Sequence, residues 1–365
     1  MILEPFGIVL SKPSTALKPR ETFPFAAVMA EHGHLYNMIE GLTDAGATLK
    51  WVYDPDPVRQ SGLCHRFPQA KVAASLEEIL DDPSVRLIAA AAVPADRCAL
   101  GIRVMEAGKD YFTDKAPLTS LEQLAMAKEA VMRTGKKYLV YYSERLCSEC
   151  AAAAEALVNA GAIGRVIQVT GFGPHRLNAP TRPQWFFQKK RYGGILCDIG
   201  SHQIEQFLFF TKAKSARIVC AHVANLNHPQ MPELEDLGET MLAADNGATG
   251  YFRVDWFTPD GLRAWGDGRV FLVGTEGFLE MRKICDLAAN DQPDHLLLCN
   301  GRGEYRWDVS GKIGYPFFSR LIRDCLDRTE TAMEQEHAFL AAELAVRAQM
   351  AAEQNPMFTT TPFVL

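Results

Sequence analysis

The stretch FPFAAVMA, residues 23–30, followed at once by Glu31-His32-Gly33-His34, decides the fold of this chain. Eight almost wholly apolar residues suit a parallel strand buried on both faces. A helical pattern over 35–45 comes next, and Gly46 stands where a helix ends. Working outward, TLKWVY at 48–53 reads as a second strand closing on Asp54. SLEEILDD at 75–82 reads as a helix, with Ser75 as its N-cap and Glu78 completing a capping box. LIAAAAV at 87–93 is a second apolar strand, broken by Pro94. A helix at 97–107 is ended by Gly108. A strand at 110–113, a helix at 121–134 opened by Thr119 or Ser120, and a strand at 137–142 (KYLVYY) follow. Repeated strand–helix units of this kind predict a doubly wound parallel sheet, with a ligand held beyond the carboxyl ends of its strands.

The pattern changes after Arg145. An Ala-rich helix at 148–160 and a strand at 165–171 precede longer strands at 216–224, 239–245, 249–257, 269–273, 277–282 and 295–299. Turn groups such as Asp245-Asn246-Gly247 and Thr275-Glu276-Gly277 separate some of them. Helices at 316–327 and 336–353 close the chain. The expected fold class is therefore α/β plus α+β: a Rossmann-type parallel sheet over 23–145, then an open, mostly antiparallel sheet covered by helices over 146–365. Residues 1–22 precede the first strand, as an arm that packs on a neighbour or as a disordered lead.

Composition narrows the function classes. The 365 residues are 48% hydrophobic and 22% charged, the balance of a globular protein. A formal net charge of −6 provides no global basic field for nucleic acid or an anionic membrane. No apolar run approaches a membrane span, and residues 1–10, with Glu4 and Pro5, do not resemble a secretory signal. Nine cysteines without framework spacing fit reduced thiols in the cytoplasm. Cys147 and Cys150 form a CxxC with no second pair, and inert thiols are the expectation.

The loop after the first strand reads Ala30-Glu31-His32-Gly33-His34, so of a GxGxxG fingerprint only Gly33 is present. Its place between strand and helix still suits a pyrophosphate at a helix N-terminus. Asp54, at the end of the next strand, could accept hydrogen bonds from an adenosine ribose and repel a 2′-phosphate, which favours NAD over NADP. Its bland alternative is a turn residue of Asp-Pro-Asp-Pro. Ala30, His32, Gly33, His34, Asp54 and Pro94 are the candidate cofactor contacts. His32 and His34 straddle Gly33, but no carboxylate–His cluster accompanies them in the sequence, so no metal is expected.

Two motifs carry chemistry. In Asp114-Lys115-Ala116-Pro117, Lys115 ends a strand and could polarise a substrate oxygen as hydride leaves the carbon; an ordinary solvated lysine is the alternative. In Gly193-Gly194-Ile195-Leu196-Cys197-Asp198-Ile199-Gly200-Ser201-His202, Asp198 and His202 are four apart and share one face of a helix. The two glycines would let backbone approach a ligand closely, and a histidine exchanges protons near neutrality. A capping Asp198 and a packed His202 explain the same spacing. Ahead of this motif, Arg176, Trp185 and Tyr192 are candidate substrate contacts. Aromatic faces stack on sugar rings, and Arg176 or Arg182 could bind a carboxylate; Trp185 and Phe186 also read as core or interface aromatics. Trp265, Asp267 and Arg269 lie in a Gly-rich loop that could reach either a site or a partner.

Residues 85–89 (VRLIA), 106–109 (EAGK), Asp114-Lys115-Ala116-Pro117 and Gly193 to His202 together resemble the Gfo/Idh/MocA family, with its EKP and GGxxxDxGxH motifs in the same order and at about the same separation. The second motif matches at every defined position; the first has Asp for Glu and an additional Ala116. Residues 273–283 (VGTEGFLEMRK) are similar to a late sheet segment of the family. The resemblance implies a bound nicotinamide cofactor, a sugar, polyol or related substrate, and a homo-oligomer, a dimer or tetramer formed through the C-terminal sheet. It also implies that Lys115, Asp198 and His202 are catalytic and that Lys115 touches the nicotinamide as well. Rival readings are a dinucleotide- or sugar-sensing protein without turnover, and an NAD-assisted enzyme that cleaves glycosides.

Overall fold

The structure, a computed structural model, describes residues 1–289 and 292–354. Residues 355–365 of the expected second domain lie outside the described residues. The chain divides into two compact units, and each is discontinuous in sequence. One joins Ser11–Cys147 to Ile313–Phe339. The other joins Met1–Leu10, Ser148–Lys312 and the segment from Leu340 on.

Short strands β1 (Ile2–Leu3) and β2 (Ile8–Val9) pair as an antiparallel hairpin. Leu3 is fully buried, and the Phe6 ring packs against Tyr305 and Trp307 at 5.5 and 6.2 Å between centroids. Further on, the Ala16 amide donates to Ala45 O. The first residues thus pack on their own chain.

The first unit is built on β3 (Pro24–Ala30), β4 (Thr48–Tyr53), β5 (Lys71–Val72), β6 (Leu87–Ala91), β7 (Asp110–Asp114) and β8 (Tyr138–Tyr141). All pairings are parallel, in the order β5-β4-β3-β6-β7-β8. Every residue of β6 is buried, as is the middle of β3, which is why both stretches are apolar on both faces. The order reverses between β3 and β6, so the crevice of a doubly wound sheet lies beyond Ala30 and Ala91. The helix after β6 spans Pro94–Glu106, three residues longer at its start than the sequence pattern indicates. The strand ends at Ala91, before the Pro94 expected to break it, and Pro94 occupies the first helical turn, where its missing N–H costs nothing. A helix at Pro57–Arg66 also escapes the sequence pattern. Its apolar stripe is one buried residue, Leu63, while Asp56 caps it by accepting the Val58 and Arg59 amides.

The second unit carries an eight-stranded sheet: β9 (Val166–Pro174), β10 (Ala216–Ala224), β11 (Leu237–Ala244), β12 (Thr249–Asp255), β13 (Arg269–Gly274), β14 (Gly277–Arg282), β15 (His295–Asn300) and β16 (Gly303–Asp308). The order is β10-β11-β12-β9-β13-β14-β15-β16, antiparallel except where β9 meets β12. One cross-strand row, Leu242, Gly250, Val169, Leu272, Leu279 and Leu298, is buried. The helix Gly200–Thr211 packs on β9 and β12, with Phe207 and Phe252 rings 6.0 Å apart. It approaches closely because β9 has Gly171 there: a Cβ would stand 2.3 Å from Gln203 Oε1. The adjacent row, Cys220, Met241 and Tyr251, faces the other way and is exposed. Among the described residues no helix is long and apolar enough to cross a membrane, and all nine cysteines are free thiols.

Candidate active site

At the carboxyl end of β3 the backbone leaves the ladder: Met29 has φ 57° and the pairing with β6 shifts between Val28 and Ala30. Gly33 then caps the helix His34–Asp44 without a side-chain cap bond. A Cβ built on Gly33 would meet nothing within 4 Å, so this helix start is open to an approaching group. An anionic pyrophosphate fits that position: it needs backbone within reach, and the helix N-terminus favours negative charge.

Asp54 lies at the end of β4, as the sequence indicates, but it is 3% exposed and strongly engaged. Its carboxylate accepts the Ala30 amide at 2.6 Å, the Asp56 amide at 2.9 Å and Arg59 Nε at 3.1 Å. Arg59, which the sequence reading passed over, also pairs with Glu31 at 2.7 Å and Asp56 at 3.4 Å. Three carboxylates surround one guanidinium, and these partners raise its pKa against the effect of its burial. The sequence signal was available: Arg59 follows Asp56 at the spacing of one helical turn.

Asp114 ends β7 and is fully buried. Its Oδ1 accepts the Lys115 amide at 2.8 Å and lies 2.8 Å from His34 Nδ1; its Oδ2 lies 3.1 Å from His32 Nδ1. The cluster absent from the sequence pattern is present in space: the ligand atoms of His32, His34 and Asp114 all lie within 4.8 Å of one another. Burial works against the Asp114 charge, but His34, Arg97 and His32 outweigh it and hold its carboxyl well below the usual range. Burial, with the charge of His34, takes His32 down to about 4 against the opposing pull of Asp114.

Lys115 is 6% exposed. The loop that carries it is fixed by Arg97, itself buried, which donates to the carbonyls of Ala92, Lys115 and Ala116 and to Asp114 Oδ2. Tyr138 adds a hydrogen bond to Pro117 O at 2.8 Å. The Lys115–Ala116 peptide is cis. Neither Arg97 nor Tyr138 stands out in sequence, because both partners are reached through the fold.

Asp198 and His202 belong to the other unit, so the expected catalytic set is divided between the two units. Asp198 ends the helix Ile195–Asp198 and His202 lies in the first turn of Gly200–Thr211. They are 8% and 1% exposed. Gly193 and Gly194 both have φ near 90°, a region that favours glycine. What approaches Gly194 is a side chain of this same chain: a Cβ there would stand 2.1 Å from Gln349 Cδ. Gln349 accepts the Leu196 amide and donates to Glu235, whose carboxylate accepts the Ile195 amide. Gly194 thus admits a polar clamp that fixes the start of the motif helix.

Of the candidate substrate residues, Arg176 donates through Nη2 to the carbonyls of Pro259, Leu262 and Ala264, tying down that loop. Tyr192 is buried, and its hydroxyl donates to Glu233 O and accepts the Glu235 amide. Both side chains are thereby committed within the fold. Trp185 is half-buried, its ring 6.0 Å from Phe186. Arg182 lies over the faces of Phe186 and Trp256, at 4.6 and 5.1 Å. Its burial lowers its pKa, and the charge of Asp198 opposes that shift. In the Gly-rich loop, Trp265 packs on His175 with centroids 4.4 Å apart, and Arg269 pairs with Asp267 at 2.7 Å.

Residues 151–280 match the family model described as the GFO/IDH/MocA C-terminal domain. A crystal structure of a protein provisionally named an oxidoreductase, from Erwinia carotovora atroseptica SCRI1043, is 50% identical. The match covers 91% of this chain and 99% of that one, with a TM-score of 0.88. The scyllo-inositol 2-dehydrogenase (NAD(+)) of Bacillus subtilis (strain 168) is 29% identical over 248 residues, 67% of this chain and 68% of that protein. Levoglucosan dehydrogenase, solved with NADH and levoglucosan, shares the fold: its TM-score is 0.76 at 17% identity, over 92% of this chain and 98% of that one.

Proposed function

Because the chain belongs to the Gfo/Idh/MocA family of oxidoreductases, we propose that it is a nicotinamide-dependent dehydrogenase acting on a hydroxyl-bearing carbon of a sugar, polyol or related small molecule. The observation that carries this reading is the open, glycine-capped helix start at the point where the order of a parallel sheet reverses. The inositol dehydrogenase among the relatives supports the substrate class and the cofactor. Ala30, Gly33 and the His34 helix start would hold the pyrophosphate. Glu31, Asp54 and Asp56 give that region more negative than positive charge, which supports NAD over NADP.

A bound nicotinamide supplies a hydride acceptor. Lys115 polarises the reacting oxygen, in a loop that Arg97 and Tyr138 hold rigid. His202 takes the hydroxyl proton, and Asp198 orients the imidazole or holds a second hydroxyl. The exposed row at Cys220, Met241 and Tyr251 supports a homo-oligomer formed through the sheet, and the free thiols support a cytoplasmic setting.

The test is fluorescence titration with NAD⁺, NADH, NADP⁺ and NADPH, followed by a screen of sugars and polyols for NADH formation. His202→Ala is expected to lower turnover by roughly 10²–10⁴-fold with cofactor affinity unchanged. Binding of none of the four dinucleotides would overturn the reading.

A further inference from the structure

We propose that His32, His34 and Asp114 form a binding site for a first-row divalent cation, zinc before others. The site follows from how the sheet is wound. β3 and β7 both flank β6, so the loop that leaves β3 and the last residue of β7 emerge at the same edge of the sheet. Residues 80 apart in sequence are thereby brought to hydrogen-bond distance. Both imidazoles turn the same nitrogen, Nδ1, toward the one carboxylate, at 3.1 and 2.8 Å. Their rings are 4.3 Å apart and nearly perpendicular, so the three donors converge on one small volume instead of stacking.

Hydrogen bonding alone accounts poorly for His32. Its Nδ1 accepts the His34 amide at 3.3 Å while facing Asp114 Oδ2 at 3.1 Å. One ring nitrogen cannot accept from the amide and donate to the carboxylate together. A cation between Nδ1 and Oδ2 meets the lone pairs of both. Ligand bonds of about 2.0–2.2 Å in a tetrahedral arrangement set donors a little over 3 Å apart. The two nitrogen–oxygen separations, 3.1 and 2.8 Å, lie near that spacing, and all three ligand atoms lie within 4.8 Å of one another. Two imidazoles and a carboxylate suit zinc and its first-row neighbours; magnesium and calcium want oxygen donors.

The surroundings complete the site. The carboxylate is held from behind by the Lys115 amide and Arg97 Nη2, and His34 Nε2 stands 3.4 Å from Ser143 Oγ. Such outer partners orient the ligands of a metal site. Asp114 is fully buried, whereas the two imidazoles are about a quarter exposed. The site is closed at its back and open in front, which leaves a coordination position for an oxygen of a bound molecule. Arg97 places a positive charge behind the carboxylate, so the affinity is below that of a closed four-ligand zinc site.

This inference goes beyond the dinucleotide reading and does not rest on it. The experiment uses tag-free full chain, stripped with chelator and dialysed. Zn²⁺ is titrated by calorimetry and Co²⁺ by visible absorption. One ion per chain with Kd below about 100 μM, and a cobalt spectrum of imidazole-containing coordination, are expected. His32→Ala and His34→Ala should each weaken binding by at least about 10-fold. His65→Ala, an exposed histidine outside the cluster, should leave it unchanged. Circular dichroism confirms that the variants fold, and the cobalt spectrum of the unaltered chain stands even if they do not. No stoichiometric binding, or binding indifferent to both histidine variants, overturns the proposal. Dinucleotide titration in the presence of chelator, run alongside, reports on the cofactor reading separately.

Discussion

Arg97 Nη2 lies 3.2 Å from Asp114 Oδ2, and the two side chains are 1% and 0% exposed. A buried pair of this kind contributes little net stability when intact, but losing one partner strands the other charge away from water. Here the guanidinium also supplies three carbonyls, so the strand-end loop carrying Lys115 depends on it. Arg97→Leu should lower stability by about 3–5 kcal/mol in urea unfolding. Arg97→Leu with Asp114→Asn should lose less than the two single losses combined, because the stranded charge is gone. Strict additivity would show that the pair is not coupled.

Glu31, Asp54 and Asp56 around Arg59 make a prediction about cofactor choice. Each carboxylate removed takes away repulsion against a 2′-phosphate and frees Arg59 to meet it. Glu31→Gln with Asp54→Asn should shift the ratio of NADP to NAD affinity upward by about 10-fold, read by titration with both dinucleotides. An unchanged ratio would remove these charges from the explanation.

Asp82 sets an acid-side prediction. Burial opposes its charge, but hydrogen bonds from Lys50 Nζ, Trp51 Nε1 and Ser84 prevail and hold its carboxyl far below the usual range. A carboxyl depressed in the folded state binds its proton more readily when unfolded. Its stabilising contribution is therefore complete above the unfolded pKa, about 3.9, and fades as pH falls through the folded value. Asp82→Asn should cost about 1–2 kcal/mol at pH 7, with the gap to the parent chain narrowing below pH 4. A gap independent of pH would assign the loss to packing.

Gly194 tests the clamp at the start of the Gly193–His202 motif. Alanine there meets both a backbone at φ 91° and the Gln349 amide. Gly194→Ala should destabilise the chain by about 1–3 kcal/mol from backbone strain alone, with the clash added. Gln349→Ala in the same chain should recover the clash and not the strain. Thermal unfolding of the two variants beside the parent chain separates the two parts.

The sequence announced those elements whose burial leaves a one-dimensional mark. FPFAAVMA and LIAAAAV are apolar throughout because both faces of β3 and β6 are covered. Ser75 and Glu78 were readable because a capping box is local: Ser75 Oγ accepts the Glu78 amide, and Glu78 reaches back to the Ala74 amide. Elements that bury little left no mark. β5 is two exposed residues, and the helix Pro57–Arg66 shows only Leu63 to the core, so Asp-Pro-Asp-Pro read as a turn where Asp56 is in fact a cap. Candidate site residues could be picked from motifs, but the side chains around them could not. Asp114 beside His32 and His34, Arg97 under Lys115 and Gln349 against Gly194 are all contacts made by the winding of the chain, and no local spacing encodes them.

The N-terminal hairpin has a consequence for synthesis. Phe6 packs against Tyr305 and Trp307, which leave the ribosome about 300 residues later, some 15–60 s at ordinary elongation rates. For that interval the Phe6 ring lacks these two partners and is open to chaperones or to other nascent chains. Closure of this part of the molecule thus waits on β16, the last strand among the described residues, and chains cut short before it would display the hairpin as a standing mark of incompletion.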